Sequence, residues 1–137
     1  MTNPNSAPSY DEMIAQAEAA IASLRGAYRE QLTEDVAALA DIWSRLDPNA
    51  PDATLDEVHA LAHNIKGQGG SFGYDLVTSI GASLCDYLRS GHRVSAKERD
   101  IVHAHLRLLK LVSDNDIAGT GGEMGQRVVE KLRTLTS

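Results

Sequence analysis

TLDEVHALAHNIKGQGGSFG, spanning Thr54 to Gly73, decides the fold. At about 100° per residue, Leu55, Val58, Leu61, Ala62, Ile65, Gly69 and Phe72 gather on one side of a helix. The spacing therefore predicts a helix over Thr54–Phe72 with an apolar stripe against a core, and Gly73 as the residue that turns the chain. His63 falls nearly opposite the centre of that stripe. It shares its face with Asp56, His59, Ala60, Lys66, Gly67 and Gly70, so it is expected to face solvent.

Working outward, the rest of the chain also reads as helical. Ser9/Glu12, Thr54/Glu57 and Ser95/Glu98 each have the Ser/Thr-x-x-Glu spacing of a capping box, and each precedes an apolar-periodic segment. Before the quoted stretch, Ile14, Ala17, Ile21, Leu24, Tyr28, Leu32, Val36, Leu39, Ile42 and Leu46 recur every three or four residues. This predicts either one long helix or two, broken between Gly26 and Thr33 where helical preference weakens. Asp47-Pro48-Asn49-Ala50-Pro51-Asp52 reads as a loop, because each proline lacks a donor and pushes its predecessor out of the α region.

After Gly73, Leu76, Val77, Ile80, Leu84 and Leu88 form the inward face of a second helix stopped by Ser90-Gly91, completing an αα-hairpin over residues 54–90. A further helix runs from Ser95 to about Ser113, with Ile101, Val102, Leu108, Leu109 and Val112 as its apolar positions. Gly119-Thr120-Gly121-Gly122 then links it to a short helix with Met124, Val128, Leu132 and Leu135 inward. Short connections make consecutive helices antiparallel neighbours. The expected fold is all-α: an antiparallel four-helix bundle with an additional terminal helix or an extended N-terminal one. Residues 1–8 read as a disordered tail and residues 9–137 as a single domain.

Composition narrows the function. A chain of 137 residues can bury a continuous core by itself, and the single cysteine, Cys85, can form no internal bridge. The N-terminus has no apolar signal-like region and no stretch is long enough to span a bilayer, so a soluble cytoplasmic protein without membrane partners is expected. With 13 Lys+Arg against 19 Asp+Glu the net charge is −6, which argues against a nucleic-acid binder, since that would need a basic face to displace phosphate counterions.

The glycines around His63 carry the functional signal. Each one inside a helix costs about 1 kcal/mol relative to alanine, yet Gly67, Gly69 and Gly70 fall close together. Gly69 reads as a close helix–helix contact on the core side. Gly67 and Gly70 lie beside His63, where missing side chains open the imidazole to a partner's backbone. Lys66, one turn on, places an ammonium over any group attached to the imidazole. That arrangement suits phosphoryl transfer, in which a neutral imidazole is the nucleophile and a cation steadies charge on the three equatorial oxygens. No carboxylate pocket for Mg²⁺ and no nucleotide-binding motif is present, so the residues describe a carrier rather than an enzyme.

Ala62-His63-Asn64-Ile65-Lys66-Gly67, followed by Gln68-Gly69-Gly70-Ser71-Phe72-Gly73, resembles the H-x-x-K-G-x-x-x-x-x-G signature of histidine-containing phosphotransfer (HPt) domains. The resemblance covers roughly Leu24 to Leu88. It implies that His63 is phosphorylated, that Lys66 stabilises the phosphoryl group, and that Gly67 and Gly70 clear a docking face also including Asp56 and His59. Gly73 would be the turn. It further implies a phosphorelay intermediate of two-component signalling whose partners are response-regulator receiver domains and a histidine kinase, with Mg²⁺ on the receiver and no cofactor on this chain. Gln68 stands where small Ser or Ala is common in the family. Ser83-Leu84-Cys85-Asp86 stands in the region where some members carry a glutamine that braces the imidazole.

The rival reading is a non-catalytic helical adaptor or a metal-binding bundle. His59 and His63 have the i, i+4 spacing of a helical metal pair, but no third ligand is evident and the glutamate of an HExxH motif is missing, so no metal site is expected. His103 and His105 point to different faces and read as structural. The long N-terminal stripe leaves monomer and dimer both open.

Overall fold

A computed structural model describes residues 7–90 and 95–137. Residues 1–6 of the expected tail and Gly91 of the expected helix stop lie outside the described residues. The elements are α1 (Tyr10–Ser44), α2 (Asp52–Gly69) continuing into a 3₁₀ turn (Gly70–Phe72), α3 (Asp75–Arg89), α4 (Ala96–Asp114) and α5 (Gly122–Thr136). No strand occurs among the described residues, in keeping with the all-α expectation.

The long N-terminal stripe forms one helix. Ser9 caps α1 by accepting from the Glu12 amide while the Glu12 carboxylate accepts from the Ser9 amide, as its capping box predicts. The chain stays helical through Gly26 and Thr33. The Thr33 hydroxyl bonds both to the Arg29 carbonyl and to the Ser113 hydroxyl of α4, which removes its competition with the helix. Tyr28, Leu32, Val36 and Leu39 are buried just beyond the glycine, and that packing outweighs one unfavourable residue. Every residue from Tyr10 to Ala27 is exposed, so the first half of α1 projects beyond the bundle.

The middle capping box does not form. Helix α2 starts two residues earlier than expected, at Asp52, with Pro51 at the N-cap and no side chain bonding to it. Proline's fixed φ is already compatible with the start of a helix, so Thr54 lies inside α2 and has no end to cap. The other end also differs: regular helix stops at Gly69, and the expected last turn to Phe72 tightens to 3₁₀ before Gly73 takes φ 84°. Ser95 and Glu98 cap α4 reciprocally.

Helices α1, α2, α3 and α4 pack as a ring in that order, each touching its chain neighbours and α4 closing on α1, with the α2–α3 contact the most extensive. Helix α5 lies outside this ring against α3 and α4. Leu39, Val58, Ile65, Val77, Ile80, Leu84 and Leu109 fill the centre. On α5, Leu132 is buried while Met124, expected inward, is 48 % exposed. Among the described residues no helix is long and apolar enough to cross a membrane.

Candidate functional site

Val58, Ala62, Ile65 and Gly69 hold the core side of α2. That registration alone turns His63 outward, exposed, with Asp56, Gly67 and Gly70 exposed and His59 and Lys66 half-buried around it. The expected face is therefore assembled. The His59 and His63 rings lie nearly parallel, 6.5 Å between centroids and 9° apart. Among the described residues no group of three or more His, Cys, Asp or Glu side chains could hold a metal.

The floor under Lys66 comes from α3, which no pattern within α2 predicts. A Cβ on Gly81 would stand 3.2 Å from the backbone N and Cα of Lys66, so this glycine lets α3 run directly beneath the site. Three residues before it, the Thr78 hydroxyl donates to the Lys66 carbonyl (2.9 Å) and accepts from the Gly70 amide (2.7 Å). The two groups belong to residues four apart at the C-terminal end of α2, so one hydroxyl clamps the last turn of the helix. Gly69 is buried against the same threonine: its Cβ would meet Thr78 Oγ1 at 2.8 Å. The signal available in the sequence was a small residue and a hydroxyl at helical spacing on the helix after the turn.

Beyond the 3₁₀ turn, Gly73 donates to the Gly70 carbonyl and Tyr74 to the Gly69 carbonyl. Gly119 donates to the Gly73 carbonyl (2.6 Å), and its own carbonyl accepts from the Leu76 amide (2.9 Å). The α2–α3 turn is thus tied to the linker between α4 and α5. Phe72 is pinned by stacking on Tyr28 of α1, 4.6 Å between centroids. Each constraint fixes the end of α2 relative to the bundle.

Not every glycine has an internal reason. A Cβ on Gly67 would meet nothing within 4 Å, and one on Gly70 would make only ordinary contacts, 3.4 Å to Thr78 Oγ1 and 3.7 Å to Asp75 Oδ1. The fold does not require a bare surface at Gly67.

No side chain of Ser83-Leu84-Cys85-Asp86 bonds to the His63 imidazole. Ser83 bonds to His105, Leu84 and Cys85 are buried, and Asp86 pairs with Arg89. Cys85 lies near the site, its Sγ 4.0 Å from the His59 carbonyl. Burial pushes its thiol up, against a smaller opposing influence of Lys66. Lys66 enters no ion pair among the described residues.

His105 is fully buried and structural, as expected. Its Nδ1 donates to the Ile101 carbonyl, so in the neutral ring Nε2 accepts from the Ser83 hydroxyl at 2.8 Å.

Neither a curated protein nor a solved structure matches the chain. The family described as Hpt domain matches residues 10–114, from the first residue of α1 to the last of α4, leaving α5 outside the match. That match takes in the whole four-helix ring and the helix bearing His63, and the chain belongs to the Hpt domain family.

Proposed function

We propose that this protein is a cytoplasmic phosphorelay intermediate that accepts a phosphoryl group on His63 and passes it to a response-regulator receiver domain. The observation that carries the reading is the exposed face of α2: an accessible imidazole, a cation one turn away in no ion pair among the described residues, and a glycine, Gly67, whose bareness serves no internal packing. In an Hpt bundle this arrangement supports transfer rather than turnover. An imidazole nitrogen forms the N–P bond as the P–O bond to a donor aspartate breaks, and the electron pair leaves on the carboxylate. Onward transfer reverses that exchange. Lys66 offsets charge on the phosphoryl oxygens, while Asp56, His59, Gly67 and Gly70 meet the receiver, which brings the Mg²⁺. Residues 9–137 act as one domain, carrier rather than enzyme. Incubation with a phosphorylated receiver tests this: protein-bound phosphate that is acid-labile and base-stable supports it. A chain that binds the receiver but stays unmodified is an adaptor.

A further inference from the structure

A groove of about 600 Å³ lies on the side of the ring where α4 closes on α1, and its volume is that of a small-molecule site. It is lined by α1 and α4 alone, so the phosphotransfer face on α2 has no part in it. The floor is apolar. Val36 and Leu106 reach it from the core, and Ala37, Ala40 and the half-buried Trp43 form the α1 wall. Two hydroxyls on that wall are already engaged: Thr33 bonds to the Arg29 carbonyl and to Ser113, and Ser44 donates to the Asp41 carbonyl.

The charged lining residues all stand on α4. Arg107 and Lys110 are one turn apart on the same face, in a chain whose net charge is −6. Lys110 lies 3.0 Å from Asp114, the one carboxylate of the lining, whereas Arg107 enters no ion pair among the described residues. We propose that the groove binds a free fatty-acid-type carboxylate. Its head group sits on Arg107 and Lys110, and its single alkyl chain lies over Ala37 and Ala40 toward Trp43.

Shape and polarity select that ligand. The α1 wall from Thr33 to Ser44 is about 16 Å long at 1.5 Å per residue. A volume of about 600 Å³ over that length leaves a channel roughly 7 Å across, narrower than the 10–12 Å of a helix with its side chains. An extended chain of roughly ten carbons fits the channel and covers most of its length. A ligand polar along its body finds no free partner on the wall and loses its hydration there. The single polar contact available is cationic, and a guanidinium suits a carboxylate in bidentate geometry. The Thr33–Ser113 bond fixes the Lys110 end of α4 beside one end of the wall, and Trp43 stands near the other.

Trp43 is the only tryptophan of the chain, so its fluorescence reports on the groove. Titration of the full chain with decanoate is expected to shift the emission and to saturate at one ligand per chain, with half-saturation at or below about 10 µM. Decyltrimethylammonium, the same chain with the opposite charge, is expected to bind at least about tenfold more weakly. Arg107→Gln is expected to weaken decanoate binding about tenfold. Ala40→Leu, at an exposed position, fills the channel and is expected to abolish binding with its melting transition retained, read by calorimetry because the substitution stands beside Trp43. No saturable change up to about 100 µM decanoate overturns the proposal, as does equal binding of the two amphiphiles or wild-type affinity in either variant. It is equally overturned if Trp43 emission ignores decanoate but responds to an acidic amphipathic peptide, to anionic phospholipid vesicles or to protein concentration alone.

Discussion

Thr78 donates its hydroxyl hydrogen to the carbonyl of Lys66 at 2.9 Å, so the cation beside His63 is held from below by a side chain on the next helix. The same hydroxyl accepts from the Gly70 amide, joining the Lys66 turn to the end of α2. Thr78→Val keeps the shape but leaves both backbone groups without this partner. It is expected to destabilise the protein by about 1 kcal/mol and to slow transfer from a phosphorylated receiver more than it lowers the melting temperature. Thr78→Ser, which keeps the hydroxyl, is expected to restore the rate. Urea melts and transfer time courses on the two variants check this.

Gly67 separates stability from function. Open space surrounds its Cβ direction, so Gly67→Gln is expected to raise stability by up to about 1 kcal/mol through helix propensity alone. The added side chain stands one turn from His63 and is expected to reduce transfer, since the donor phosphorus must come within about 3–3.5 Å of the imidazole. Gly70 is a poorer position for this test, because a side chain there also touches Thr78 and Asp75. A stabilised Gly67→Gln chain that transfers normally would remove the clearance argument.

Gly125 has the opposite character. A Cβ there would stand 1.7 Å from the Thr120 carbonyl oxygen, so Gly125→Ala must displace the start of α5 or the linker before it. A loss of about 1–3 kcal/mol is expected in chemical denaturation, the range typical of overpacking. Gly26→Ala, with nothing within 4 Å, is expected to be stabilising by comparison.

His105 sets a pH dependence. Burial lowers its pKa below the usual 6.5, with the bond to the Ile101 carbonyl opposing. The unfolded chain therefore binds a proton that the folded chain resists. This contribution to stability is fully present above about pH 6.5 and falls as the pH drops below it, until the folded-state pKa is passed. Denaturation midpoints between pH 7.5 and about 5 should decline, and the decline should be shallower in His105→Gln.

The outward placement of His63 was legible because a single helical period fixes both faces of α2 at once. Two of the capping boxes were legible for the same local reason. Thr54/Glu57 failed because the spacing of a capping box says nothing about whether Pro51 has already started the helix. The roles of Thr78 and Gly81 were not legible, since each depends on how closely α3 crosses α2, a distance that no pattern within either helix encodes. The exposed stripe from Tyr10 to Leu24 looks in sequence the same as the buried one from Tyr28 to Leu39. Only the lengths of the other helices decide where the bundle ends.

Whether His63 receives the phosphoryl group is read from phosphate incorporation by His63→Gln. The variant should take up no acid-labile phosphate from a phosphorylated receiver while melting within about 0.5 kcal/mol of the wild type, because the side chain is exposed and makes no core contact. Undiminished labelling of a folded His63→Gln chain would contradict the account and move the site elsewhere, with His59 the next residue to replace.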